Sequence, residues 1–136
     1  MGRGMYMQLN VTTDYAIRIV LYLAIQKRVV NSKEIAKAMG IPLTYIMKIT
    51  KTLKDAKILS EKRGVDGGFV LSRDPEQLTL LDIVGVLERT VKINRCLEED
   101  EYCSRNAVAF CTVRKLLVRL QAELAEGLNV KISELI

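Results

Sequence analysis

Between Asn31 and Ser72 the chain reads as helix, tight turn, helix and hairpin, an order that few folds accept in so few residues. Asn31 or Ser32 can N-cap a short helix over residues 33–39, with Ile35, Ala36 and Met39 turned inward. The spacing Asn31 to Glu34 suits a capping box, and Gly40 is placed to stop the helix. After Ile41 and Pro42 a third helix is predicted over residues 43–56. Its Ile46, Ile49 and Leu53 recur at i, i+3 and i+7, leaving Lys48, Lys51 and Thr52 outside. Two short helices joined by a glycine-containing turn form a helix-turn-helix. Residues 58–63 and 69–72 then read as strands around Gly64-Val65-Asp66-Gly67-Gly68, whose glycines supply the positive φ that a hairpin turn needs. A hairpin directly after a helix-turn-helix is a wing.

Helices flank this unit. Thr12 or Thr13 is expected to cap a first helix over residues 14–27 that is apolar almost all round, with Arg18 its only interior charge. Such a helix must be covered on several sides. Asp74-Pro75 breaks the chain, and Thr79 can cap a helix over residues 80–89. Residues 92–110 read as a loop, followed by a long helix over residues 112–128. There Val113, Leu117, Leu120, Leu124 and Leu128 approach a heptad seam suited to pairing between subunits. Ser133 can cap a last turn. The expected fold class is mainly α with a small β wing. A winged helix-turn-helix DNA-binding domain occupies residues 1–79. Residues 80–136 hold a linker helix, a cysteine loop (92–111) and a dimerisation helix. Met5 and Met7 leave the start of translation open, and residues 1–6 read as an extension without functional weight.

A chain of 136 residues that is 49% apolar and 27% charged is an ordered domain, or one plus an oligomerisation arm. Its longest apolar stretch, residues 19–25, falls far short of the roughly 20 residues of a membrane span. Residues 1–10 lack an apolar signal-peptide core, so a cytoplasmic protein is expected. Residues 26–63 carry ten basic and three acidic side chains, a net +7, which leaves −2 for the rest of a chain of net +5. A basic block of this kind is the footprint of a polyanion, here double-stranded DNA. No catalytic acid–base pair, phosphate-cradling loop or nucleophile constellation is visible, so an enzyme is not expected.

The third helix is the candidate recognition helix. Thr44, Tyr45, Met47 and Lys48 are placed near base edges or the flanking backbone, and Lys51 and Lys54 suit phosphate. Ser32 and Lys33 open the preceding helix, whose free N–H groups can hold a phosphate. Arg63 stands at the mouth of the wing, where Gly64 and Gly67 let the backbone approach a groove.

Cys96, Cys103 and Cys111 are the only cysteines, and no histidine accompanies them. Thiolates at this spacing suit an iron–sulfur cluster, zinc or a thiol redox switch, and inert packing is the remaining reading. Structural zinc normally takes four tight ligands. Three cysteines with an exchangeable fourth ligand better suit a labile cluster.

Taken together these residues resemble the IscR/NsrR/CymR superfamily of bacterial winged-helix regulators, from Met7 onward. The resemblance is carried by Met7-Gln8-Leu9 with Thr13-Asp14-Tyr15-Ala16, Ile35-Ala36 with Gly40-Ile41-Pro42, and Tyr45-Ile46 with Leu53. It is carried above all by Arg63-Gly64 with Gly67-Gly68-Phe69-Val70-Leu71, and then by Leu78-Thr79-Leu80-Leu81-Asp82-Ile83. The resemblance implies a homodimer that swaps its long C-terminal helices and binds a palindromic operator, typically as a repressor. Members with three cysteines here hold an iron–sulfur cluster, with [2Fe–2S] preferred to [4Fe–4S] for this chain. Members lacking the triplet respond through other ligands or a partner enzyme; the alternative for this chain is a repressor without a cluster, controlled by thiol oxidation, a small ligand or a partner enzyme. Two departures stand out. Six and then seven residues separate the cysteines, longer than usual, and Thr112-Val113-Arg114 follows Cys111 where the IscR branch has a histidine ligand. Asp14 occupies the place from which some members donate a carboxylate across the dimer. The run Glu98-Glu99-Asp100-Glu101 is a local alternative and an exogenous thiol or water another, while Asp14 equally suits a role stabilising the start of its own helix.

Overall fold

A helix that cannot face water organises the chain. The computed structural model describes residues 7–136, so the reading of residues 1–6 lies outside the described residues. Helix α1 (Val11–Gln26) buries Ala16, Ile19, Val20, Leu23 and Ala24. Against it pack α2 (Ser32–Met39), α3 (Leu43–Asp55), α4 (Leu80–Leu87) and the hairpin of β1 (Leu59–Lys62) and β2 (Gly68–Leu71). The shared core adds Ile35, Ile46, Ile49, Leu53, Ile58, Leu78 and Ile83. Each such side chain, fully buried, contributes about 1.5–3 kcal/mol before the entropy cost of ordering it.

The turn chemistry follows the sequence closely in the helix-turn-helix. Asn31 Oδ1 accepts from the Glu34 N–H at 2.8 Å, and Gly40 closes α2 at φ 65° with its N–H on the Ala36 carbonyl. The wing strands pair antiparallel, from Leu59 opposite Leu71 to Lys62 opposite Gly68. Val30 and Phe69 exchange two backbone hydrogen bonds of 2.8 Å, tying the wing to the entrance of α2. This approach is so close that a Cβ on Gly68, at φ 156°, would lie 2.2 Å from the Val30 carbonyl oxygen. Thr79 and Asp82 form a reciprocal capping box at the start of α4.

Three expectations are corrected. Thr12 and Thr13 do not cap α1; the helix starts one turn earlier, behind Asn10, whose own side chain does not cap it either. A remote carboxylate does that work. Glu88, just past the end of α4, accepts from the Asn10 N–H at 2.8 Å and the Thr13 hydroxyl at 2.5 Å. Ser133 is not the last cap, because the final turn, Ile132–Leu135, begins behind Lys131. Its fully buried Ile132 returns the chain to the core, with its N–H on the Leu78 carbonyl and the Leu80 N–H on Val130.

The third correction concerns the long helix, α5 (Thr112–Leu128), which has no fully buried residue. Arg114, Leu117, Gln121, Ala125 and Leu128 form the side turned toward the rest of the chain. The expected single stripe is therefore split. Leu117 and Leu128 lean inward, while Val113, Leu116, Leu120 and Leu124 form a second, exposed apolar row.

Gly68→Ala is expected to destabilise the fold by about 2–3 kcal/mol through that backbone clash. Asn31→Ala is expected to cost about 1 kcal/mol as a lost cap. Urea unfolding midpoints measure both; equal midpoints for the two variants would contradict the tie between wing and α2.

Candidate DNA face and cysteine site

All three acidic residues of the basic block are held by basic residues of the same block. Glu34 pairs with Arg28 at 2.6 Å, Asp55 with Lys51 at 3.1 Å and Glu61 with Lys54 at 2.8 Å. Among the described residues Lys27, Lys33, Lys37, Lys48, Lys57, Lys62 and Arg63 form no ion pair. The hydrogen bond from Lys54 holds the Glu61 carboxyl below its ordinary range, with a smaller contribution from Arg63. Lys54 thereby braces α3 against β1. Of the three lysines of α3 read as DNA contacts, Lys48 stands free, whereas Lys51 and Lys54, which suit phosphate, each carry a carboxylate partner.

Thr44, Met47, Lys48 and Lys51 are exposed along one side of α3. Tyr45 is half-buried, its ring edge-on to Tyr15 with centroids 5.3 Å apart, so it packs the helix start onto α1. Ser32 and Lys33 sit in the first turn of α2. Arg63 and Gly64 are exposed at the wing, with Gly64 at φ 112°, and a Cβ on Gly67 would meet the Lys62 carbonyl oxygen at 2.3 Å.

The three cysteines are free and half-buried. Cys96 lies in a short 3-10 turn, Arg95–Leu97, and its sulfur accepts from Asn94 Nδ2 at 3.3 Å. Cys103 sits where the backbone N–H groups of Ala107 and Arg105 converge on its sulfur and pull its pKa below the usual thiol value. Cys111 is the N-cap of α5, its sulfur accepting from the Arg114 N–H at 3.3 Å. At Cys103 these N–H groups favour the thiolate, the form that binds metal.

Two arginine clamps order the loop. Arg95 grips Asp100 through both carboxylate oxygens, one bond at 2.6 Å, and lies over the Tyr102 ring. Arg114 reaches from α5 to Glu101 at 2.7 Å and to the Cys96 carbonyl at 3.3 Å. Asp100 and Glu101 are thus already engaged. Gln121 adds a third tie, accepting from the Ile93 N–H at 2.7 Å and donating to the Val91 carbonyl at 2.9 Å. Arg114 and Gln121 were not anticipated as loop anchors; the one available signal was two polar residues interrupting the inner face of an apolar helix.

The donor set suits a soft metal centre: three thiols on one loop, each in reach of N–H donors. Within one chain they are not gathered, since among the described residues no three His, Cys, Asp or Glu side chains stand close enough to hold a metal ion. Asp14 engages Arg18 at 2.8 Å. Arg18 also donates to the Met39 carbonyl at 3.2 Å and lies 5.3 Å from the Tyr15 ring centre. The Asp14 carboxylate therefore stands at the head of a chain of contacts that ends at the helix-turn-helix turn and at Tyr45.

With this geometry in hand, residues 9–136 match the Rrf2 family, described as iron-dependent transcriptional regulators. This chain belongs to the Rrf2 family. The Rrf2 protein of Nitratidesulfovibrio vulgaris is 30% identical over 112 residues, 81% of this chain and 73% of that protein. The regulator IscR of Sodalis glossinidius is 27% identical over 133 residues, 96% of this chain and 79% of that one. The chain spans 62% to 81% of the length of several such relatives. Among solved structures, CymR, the global cysteine regulator of B. subtilis, matches with a TM-score of 0.77 at 24% identity, covering 96% of each chain. As an Rrf2 protein the chain is a DNA-binding winged-helix transcriptional regulator and not an enzyme. No helix among its described residues is long and apolar enough to cross a membrane.

The hydrogen bonds from Arg95 hold the Asp100 pKa down at about 2. A depressed carboxylate pKa means that the clamp is complete above the ordinary value of 3.8 and is lost as the pH falls through about 2. An NMR titration of the Asp100 carboxyl is expected to show that low midpoint, shared by the Tyr102 amide that donates to it. Arg95→Ala should return the midpoint to the usual carboxylate range; a midpoint unmoved by the substitution would refute the clamp.

Proposed function

We propose that this Rrf2 protein is a cytoplasmic, homodimeric repressor that binds a palindromic operator and senses iron–sulfur or redox status through Cys96, Cys103 and Cys111. The observation that carries the reading is the placement of the cysteine loop. It is tied by Arg114 and Gln121 to α5, and it begins at Lys92, a few residues past Glu88, the residue that caps α1. The loop thus lies in the chain between the residue that caps the helix supporting the reader and the helix whose exposed apolar row suits a second copy. The division into a DNA-binding part (1–79) and a sensing and pairing part (80–136) belongs to the same reading.

In this reading Cys96, Cys103 and Cys111 are metal ligands and hold the cluster, [2Fe–2S] in preference to [4Fe–4S]. When bound, the cluster supplies a reversible, oxidant-sensitive link among three thiolates. Asp14 of the second subunit is the proposed fourth ligand. Transmission falls to this chain's own residues. Recruiting Asp14 releases Arg18, which otherwise joins Asp14 to the Met39 carbonyl at the turn before α3. Effector and DNA are coupled only to the extent that the two arrangements differ in affinity.

A second reading is a thiol switch without a cluster, favoured by the N–H groups that converge on the Cys103 sulfur. Anaerobic purification with iron and sulfide counts separates the two. The cluster reading expects an iron-loaded protein whose absorption spectrum changes in Asp14→Ala, and whose operator affinity differs between loaded and stripped forms. Equal affinities would sink the sensing mechanism. On the DNA side, the proposed contacts are Ser32, Lys33, Thr44, Tyr45, Met47, Lys48, Lys51, Lys54, Arg63, Gly64 and Gly67. Lys48→Ala should weaken binding to all sequences and lower the salt slope by about one unit, because it removes an unpaired phosphate contact. Arg63→Ala should cost about 1–3 kcal/mol and relax specificity at one position. Titrations across salt and operator variants measure both.

A further inference from the structure

The recognition helix turns an odd set of side chains outward. Its exposed residues are Leu43, Thr44, Met47, Lys48, Lys51 and Asp55. Lys51 and Asp55 hold each other at 3.1 Å. What remains free contains no arginine, asparagine or glutamine, so Lys48 is the one side chain left on this face that can make paired hydrogen bonds to a base, guanine. It does contain two large apolar side chains, Leu43 at 43% exposure and Met47 at 53%. They are one helical turn apart and so share a side of the helix. The inner face of α3 is already filled by Ile46, Ile49, Thr50 and Leu53, so Leu43 and Met47 have no place in the core. Met47 also forms part of the rim of a hollow of about 260 Å³ between α3 and the wing, with the Lys54–Glu61 pair and Phe69 around it.

Two apolar groups in the middle of a surface carrying unpaired cations need a partner that is both polyanionic and locally apolar. Duplex DNA meets both conditions at one place: the thymine 5-methyl group projects into the major groove, among base edges otherwise made of donors and acceptors. We infer that Leu43 and Met47 recognise thymine by apolar contact with its 5-methyl group, so that much of the operator's sequence is read through methyl contacts. The inference rests on α3 being the recognition helix. It goes further by naming the chemical group that is read. Lys48 then supplies a phosphate contact and register, Arg63 of the wing reads one further position, and Thr44 adds a short hydroxyl and methyl at the same helix start.

The test uses the full-length protein. High-affinity duplexes are selected from a random pool. Each thymine of the selected sequence is then replaced in turn by 2′-deoxyuridine, which removes the methyl group and nothing else. Wild-type protein is expected to lose about fourfold in affinity at one or two thymines of each half-site, the value of one buried methyl. In Met47→Ala the penalty at one of these positions should vanish while the others persist, and Leu43→Ala should erase a different one. Selected duplexes that tolerate uridine at every position would overturn the inference and leave DNA binding intact, and this arm needs no variant to fold. Uridine penalties that survive unchanged in both variants would also overturn it. Selection of no sequence at all would remove the DNA reading itself, together with the inference built on it.

Discussion

The circumference of α1 is the constraint on which the molecule depends. Ile19, Val20, Leu23 and Ala24 leave the helix no broad polar side to offer water, so other elements must close around it. Recognition helix, linker helix, wing strand and final turn all meet there. Each thereby takes a set position relative to the others, although they are distant in the chain. Even the start of α1 is completed from afar, by the Glu88 carboxylate, so its first turn and the end of α4 cannot shift independently. The element that orders the reader and the element that leads into the cysteine loop are joined at one oxygen atom.

That architecture explains which parts of the chain were legible in its sequence. The helix-turn-helix was, because Asn31, Gly40 and Pro42 mark its boundaries within a few residues of one another and Ile46, Ile49 and Leu53 repeat at helical spacing. The wing was legible from its glycines. The cap of α1 was not: Glu88 lies 75 residues from Thr13, and nothing local announces a carboxylate that acts at that range. The same reason hid Ile132, a single buried residue in a short polar tail. The leucines of α5 were correctly placed on a helix, but periodicity alone does not say which of two adjacent rows faces home. Arg114 and Gln121 settle that choice by bonding to the loop.

The charge pattern shows a similar division between what spacing reveals and what only geometry can. A net +7 could be counted from the letters. Its distribution could not, since the block's carboxylates neutralise Arg28, Lys51 and Lys54 specifically and leave Lys48 and Arg63 unopposed. Lys54 also acts as a strut between α3 and β1, beside the phosphate contact proposed for it. Recognition helix and wing are in this way presented to a partner as one rigid surface.

The bareness of α5 carries a consequence for how much protein is needed before it can function. A helix of 17 residues that buries none of them fully draws little stability from packing within its own chain, the main source of helical stability in proteins. In the proposed dimer a second copy against the exposed row of Val113, Leu116, Leu120 and Leu124 would supply that burial, and the order of α5 would then depend on protomer concentration. Because Cys111 caps that helix and Arg114 secures the loop to it, the thiols would be presented properly only above a threshold of abundance. A gene switch built this way would register its own copy number before it registers any signal.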